Sequence, residues 1–357
     1  MDDAPDSGPG VAAGIPKAIG MVPGQPAHGP APGRFAFVMG TGVISLALGL
    51  DRYHLLSLVF LALATAGYLE LLLAEGRLLG RGLRAYGTGV ATTRAALGLF
   101  AFAVATEVLA SRFTVLGWSW LGVGLFCLGG VVSALLAYLV PALVALRRIQ
   151  PEPLTHAGGL WLLWPVALFA VAVGASVVSR YAHFEPLAMA VLAPALWTVG
   201  VALYLPLVVM LVGRLLWAGV TLREVGPSYW ITMGAAALAA LTASLITTDP
   251  TTSSQLPAFL PIASAAGPGL WFLATALLPM VVGITVARTL QRDRLEGVPK
   301  ELWVAVFPVG MYALASLSLG GAYPWLLAVG RVAVWAAVVV WCIDLGRGVL
   351  LRLLPET

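Results

Sequence analysis

Few residues in this sequence have the types and spacing that catalysis needs. The four histidines, His28, His54, His156 and His183, are scattered, with no metal-ligand spacing among them. No Ser-His-Asp or Cys-His set falls on one face, and no GxxxxGK[ST] phosphate loop occurs. What remains is a set of hydroxyls, small residues and isolated charges inside long apolar runs. Gly40-Thr41-Gly42 with Ser45, Thr106 beside Glu107, Thr232 with Gly234, and Ser316 are such places. A hydroxyl donor solvates an anion without the deep binding of a full charge, which suits rapid passage. The same small residues also let helices approach closely. Pore lining and tight packing both stand as readings. No catalytic residue, metal or cofactor is expected.

Three charges and one aromatic add to this set. Glu107 sits inside an apolar run, where a carboxylate is costly and is either functional or paired. Its expected partners are Arg112 or Arg331, with proton coupling as the alternative. Arg94 and Arg331 are candidates for drawing anions towards the two mouths of a pore. Each also reads plainly, Arg94 as a membrane anchor and Arg331 as half of a salt bridge or a snorkelling side chain. Phe307 precedes Pro308 and Gly310. Taken alone, it reads as a packed core aromatic. Pro308 removes a backbone hydrogen bond and Gly310 a side chain, so a helix bends there, and a ring at such a bend can plug a narrow lumen.

The elements that hold these residues must lie in lipid. Of 357 residues, 60% are hydrophobic and 10% charged, with mean hydropathy +0.95. A soluble domain carries about 25% charged residues. The runs lack period-2 alternation, so the fold class is an all-α polytopic bundle rather than a barrel. Ten spans are expected, at 35–50, 55–74, 95–112, 117–145, 158–179, 187–217, 229–247, 267–288, 301–319 and 324–346. Residues 1–33, rich in Gly, Pro and Ala, read as a disordered tail, 34–346 as the membrane domain, and 347–357 as a short tail. Loop 248–266 reads as a connector. With the N-terminus placed inside, 16 of the 20 Lys and Arg fall on the cytoplasmic side. Only Arg52, Arg112 and Arg180 fall outside, and Arg331 lies within the last span. Both termini are therefore expected in the cytoplasm, in a plasma-membrane protein. This arrangement also explains the net charge of +4 without a nucleic-acid partner. Cys127 and Cys342 read as small buried hydrophobes rather than a disulfide.

The odd spans are richer in Gly, Ala, Ser and Thr, and the second and tenth are bulkier. Lipid wants bulk and helix contacts want small residues, which predicts five hairpins with odd helices inside. The fifth span, with Trp161, Leu162 and Trp164, fits less clearly, and Pro165 is expected to kink it.

Three motifs carry a family resemblance. FVMGTGVIS in the first span, PSYWITMGAAALA at 227–239 and LWVAVFPVGMYALAS at 302–316 resemble the tellurite-resistance/C4-dicarboxylate transporter family, which includes the slow-type anion channels. The resemblance covers 34–346. It implies five hairpins around a central pore, commonly one pore per protomer of a homotrimer. It implies passage of malate and other C4-dicarboxylates, or of chloride, nitrate or tellurite-related oxyanions. It also implies that Phe307 occludes the pore. The alternatives are a proton-coupled dicarboxylate carrier and, behind it, an intramembrane enzyme, which would need clustered acids, histidines or a metal motif.

Overall fold

The computed structural model describes residues 34–80, 82, 92–146, 158–217, 225–291 and 303–353. The tail 1–33, several cations expected on the cytoplasmic side (Lys17, Arg81, Arg84, Arg147, Arg148, Arg223, Arg292, Arg294 and Lys300), His28 and His156 lie outside them.

Among the described residues there is no strand, and ten long helices follow one another. They are α1 Phe35–Leu50, α2 His54–Gly80, α3 Thr93–Val115, α4 Ser119–Ala145 and α5 Leu163–Ala182. Then come α6 Pro186–Trp217, α7 Trp230–Thr248, α8 Leu260–Leu290, α9 Trp303–Leu319 and α10 Trp325–Leu353. Eight are long and apolar enough to cross a membrane, and α1 and α9 are shorter apolar helices.

Several boundaries move from the sequence expectation. Residues 248–266 contain a short helix, Pro250–Gln255, and α8 starts at Leu260 rather than 267. Asp249 caps that short helix: its Oδ2 accepts from the Thr252 amide (2.8 Å) and hydroxyl (2.7 Å). Pro250, Pro257 and Pro261 each stand in the first turn of a helical segment, where a missing N–H costs nothing. Pro165 likewise falls in the first turn of α5, so it opens the helix and does not kink it. At the C-terminus, α10 continues through Leu353, past the expected boundary at 346.

Consecutive helices pack as pairs: α1 with α2, α3 with α4, α5 with α6, α7 with α8, α9 with α10. The odd helices also touch one another in a closed cycle, α1–α3–α5–α7–α9–α1. Each even helix rests on its own partner and on the next odd helix, with α10 returning to α1. Burial follows this order. In the apolar stretches of α3, α5 and α7, 83–89% of residues are buried, against 28–33% in α2, α4, α6, α8 and α10. Leu55, Tyr138, Trp217 and Leu290 stand out from the even helices, as a lipid-facing surface requires. Cys127 and Cys342, expected to be buried, are exposed free thiols on α4 and α10. An apolar position on an outer helix is a lipid position, so apolar surroundings in sequence do not imply burial.

Candidate functional site

The odd helices meet through glycines that receive larger neighbours. A methyl group on Gly40 would come 2.9 Å from Val306 Cγ1, and on Gly42 2.6 Å from Val108 Cγ1. On Gly310 it would come 2.6 Å from Val43 Cγ1, and on Gly234 2.9 Å from the Pro308 Cα. Gly40 and Gly42 are thus packing notches for α9 and α3. Gly234 is the notch in which the Pro308 ring of α9 sits.

These contacts fix the rotation of α9. Tyr312 and Ser316 bond to α8: the Tyr312 hydroxyl lies 2.9 Å from Thr275 Oγ1, and Ser316 Oγ accepts from Trp271 Nε1 at 2.8 Å. At ~100° per residue, Phe307 falls on the far side from Tyr312. Its neighbours Val306 and Pro308 meet α1 and α7. The Phe307 ring therefore faces the inner side of the cycle, and it is 3% exposed. Pro308, in the interior of α9, leaves a carbonyl one turn back without its backbone donor beside this ring.

The hydroxyls singled out in the sequence turn the other way. Thr41 Oγ1 accepts from Trp341 Nε1 of α10 (2.9 Å). Thr106 Oγ1 donates to the Phe102 carbonyl and lies 2.8 Å from the Tyr68 hydroxyl of α2. Ser316 donates to the Tyr312 carbonyl, and Thr232 to the Tyr229 carbonyl. Ser45 bonds to Ser57 of α2 and to Arg112. Thr41, Ser45, Thr106 and Ser316 are thus tied to outer helices, because an apolar setting drives each hydroxyl to the nearest protein partner, and Thr232 is closed on its own helix.

The partners form a pattern that the sequence reading missed. Tyr68 of α2 reaches α3, Trp271 of α8 reaches α9, and Trp341 of α10 reaches α1. From α6, Trp197 Nε1 donates to the Ala239 carbonyl (2.9 Å) and the Tyr204 hydroxyl to the Thr232 carbonyl (3.0 Å), both on α7. Four outer helices thus each tie an aromatic polar tip to the next inner helix. Each bond is worth ~1 kcal/mol net, and more if its donor were orphaned. The only trace in sequence is an aromatic with a polar tip mid-way along a bulky span.

The α4–α5 joint is different. Glu107 lies against Gly129 of α4 and Gly174 of α5, and neither carboxylate oxygen has a hydrogen-bond partner. The expected arginine partners are elsewhere. Arg112 is five residues on, on another face of α3, and bonds to Ser45 and Ser57 (3.0 and 2.7 Å). Arg331 pairs with Asp51 at 3.0 Å, so its charge is already countered. Arg94 is exposed in the first turn of α3. Among the described residues no group of three or more His, Cys, Asp or Glu side chains converges on a metal-sized site.

A model of the SLAC1 family, described as voltage-dependent anion channel, matches residues 31–349. The chain belongs to this family. It is the family to which the three sequence motifs pointed, and it is one of channels and transporters, not enzymes. Two proteins of Mycobacterium tuberculosis, from strains CDC 1551 / Oshkosh and ATCC 25618 / H37Rv, are 30% identical to the chain over 148 residues. The match covers 40% of the chain and 72% of each relative, and each is described as an uncharacterized membrane protein. The voltage-dependent anion channel family accounts for the apolar helices and for membrane anion transport as the general function.

Proposed function

We propose that this member of the voltage-dependent anion channel family conducts anions passively through a lumen enclosed by α1, α3, α5, α7 and α9, and that Phe307 constricts it. The observation that carries the reading is the position of Phe307. It is an aromatic on the inner side of a closed cycle of helices, held there by the Val306–Gly40 and Pro308–Gly234 contacts. An apolar constriction blocks ions by excluding water, and a ring beside a proline that removes a helix hydrogen bond is a movable one. Pro308 and Gly310 serve this gate by setting the bend and the close approach of α1. Met39, Leu46 and Leu50, on the far side of α1 from Thr41, continue the wall on that helix. Gly40, Gly42 and Gly234 shape it from behind by letting the helices close up.

The substrates are small anions: C4-dicarboxylates such as malate, or chloride, nitrate or tellurite-related oxyanions. The protein is a homotrimer in the plasma membrane with both termini cytoplasmic, an orientation that the distribution of Lys and Arg supports. The test is anion conductance in proteoliposomes or oocytes. Phe307→Ala is expected to raise it, and unchanged conductance at normal expression rejects the gate.

Glu107 supports a second reading, a proton-coupled dicarboxylate carrier, because its buried carboxylate has no partner. Its place between α3, α4 and α5, away from Phe307, favours the channel. Flux driven by a pH gradient decides between them: a response abolished in Glu107→Gln establishes coupling through this residue.

A further inference from the structure

Arg112 is a buried cation that the proposed conduction leaves unused. It is 4% exposed, in the last turns of α3. Two serines grip one edge of its guanidinium. Nε donates to Ser45 Oγ at 3.0 Å, and Nη2 to Ser57 Oγ at 2.7 Å. Each serine hydroxyl is turned to the other's backbone carbonyl, Ser45 to Ser57 at 2.7 Å and Ser57 to Ser45 at 2.6 Å. With both hydroxyl protons committed, both oxygens are left as acceptors, and the guanidinium is held at a fixed angle.

Of the five N–H donors of an arginine, the grip uses the one on Nε and one on Nη2. Among the described residues Nη1 has no hydrogen-bond partner. It lies alongside half-buried Gly49, where a methyl group would come 2.9 Å from it. No carboxylate among the described residues answers the charge. Asp51 is taken by Arg331, and Glu107 points to α4 and α5. The C-terminal ends of α1 and α3 offer only partial negative charge. A buried guanidinium without a counter-charge is costly, and a mobile anion offsets that cost.

We propose that Arg112 is an anion-binding group where the C-terminal ends of α1 and α3 meet the start of α2, taking planar oxyanions: carboxylates or nitrate. This deepens the conduction reading and rests on it for its place in transport. The free Nη1–Nη2 edge is a fork of parallel donors that matches a carboxylate or nitrate and not a spherical halide. Gly49 keeps the approach to that edge open. The Ser45–Ser57 clamp is the positioning element.

The test separates binding from transport. Purified protein in detergent is titrated with sodium nitrate or sodium malate at constant ionic strength made up with chloride, and its thermal midpoint is followed. Wild type is expected to show a saturable rise. Arg112→Lys keeps the charge but loses the fork, and is expected to need at least about tenfold more nitrate for half of the rise. Gly49→Ala leaves the guanidinium and its clamp but crowds Nη1, and is expected to do the same. It carries the test if the Arg112 variant does not fold. A wild type without a saturable response, or a variant whose half-point stays within about twofold, overturns the site. Nitrate flux in proteoliposomes is the second readout. Binding without flux removes the conduction reading and leaves the site. Flux without binding removes the site and leaves the reading.

Discussion

The odd helices are crowded along nearly their whole length, whereas the even helices are crowded on one side only. On the outer side of the even helices Leu, Val and Trp face outward, and a methyl group added to Gly124 of α4, or to Gly269 or Gly283 of α8, would meet nothing within 4 Å, whereas on their inner side Gly129, Gly200 and Gly330 receive Glu107, Phe169 and Leu317. In the odd helices Gly40, Gly42, Gly234 and Gly310 each hold a neighbouring side chain. In water the hydrophobic effect would place the bulkiest apolar groups inside. In lipid it does not separate helices, so close contact and satisfied hydroxyls decide which helix is central.

That contrast can be broken by substitution. Gly42→Leu and Gly234→Leu are expected to cost more than about 3 kcal/mol, or to prevent folding, since each drives a side chain into Val108 or Pro308. Gly124→Leu on α4 is expected to change stability by under about 0.5 kcal/mol. Thermal unfolding and the monodisperse fraction in detergent measure both, and equal losses would dissolve the distinction. Next in size, Glu107→Met replaces an unpartnered buried carboxylate by an apolar chain of similar length. It is expected to stabilise the α3–α4–α5 joint by about 1–3 kcal/mol. A loss instead would mean that the carboxylate has a partner in the membrane. Thr41→Val removes the acceptor of Trp341 Nε1 and is expected to cost about 1–2 kcal/mol, whereas Cys342→Val on the same outer helix, facing lipid, is expected to cost almost nothing. Last comes a surface pair, tested by Arg331→Ala. This side chain is 62% exposed in its pair with Asp51, so the expected loss is under about 1 kcal/mol and should vanish in high salt.

Much of this was legible in the chain. The first, third, seventh and ninth spans announce themselves as inner helices through their Gly, Ala, Ser and Thr content, and they are inner. The fifth does not, since Trp161, Leu162 and Trp164 give it the look of an outer helix, yet α5 with its leading turn is 89% buried. Its place follows from its contacts with α3 and α7, which no local composition encodes. The candidate site divides in the same way. Phe307-Pro308 and Gly310 stood out in the sequence because a proline inside an apolar span removes a backbone hydrogen bond whatever its surroundings. Thr41, Ser45, Thr106 and Ser316 were readable as polar points but not as to direction, because a helix can be turned so that any face looks inward.

The sequence by itself determined that the chain lives in lipid, roughly where its helices run, and which four of them have the small residues for a crowded centre. These are local quantities: apolar length, side-chain volume, the positions of Pro and Gly. Only the tertiary structure decided the rotation of each helix, and with it every partner. It turned Phe307 inward and Thr41 outward to Trp341, kept Glu107 from Arg112, and set Arg112 between two serines of other helices. Such choices arise from contacts between residues far apart in the chain, and at 3.6 residues per turn a shift of one position redirects a side chain by about a quarter turn.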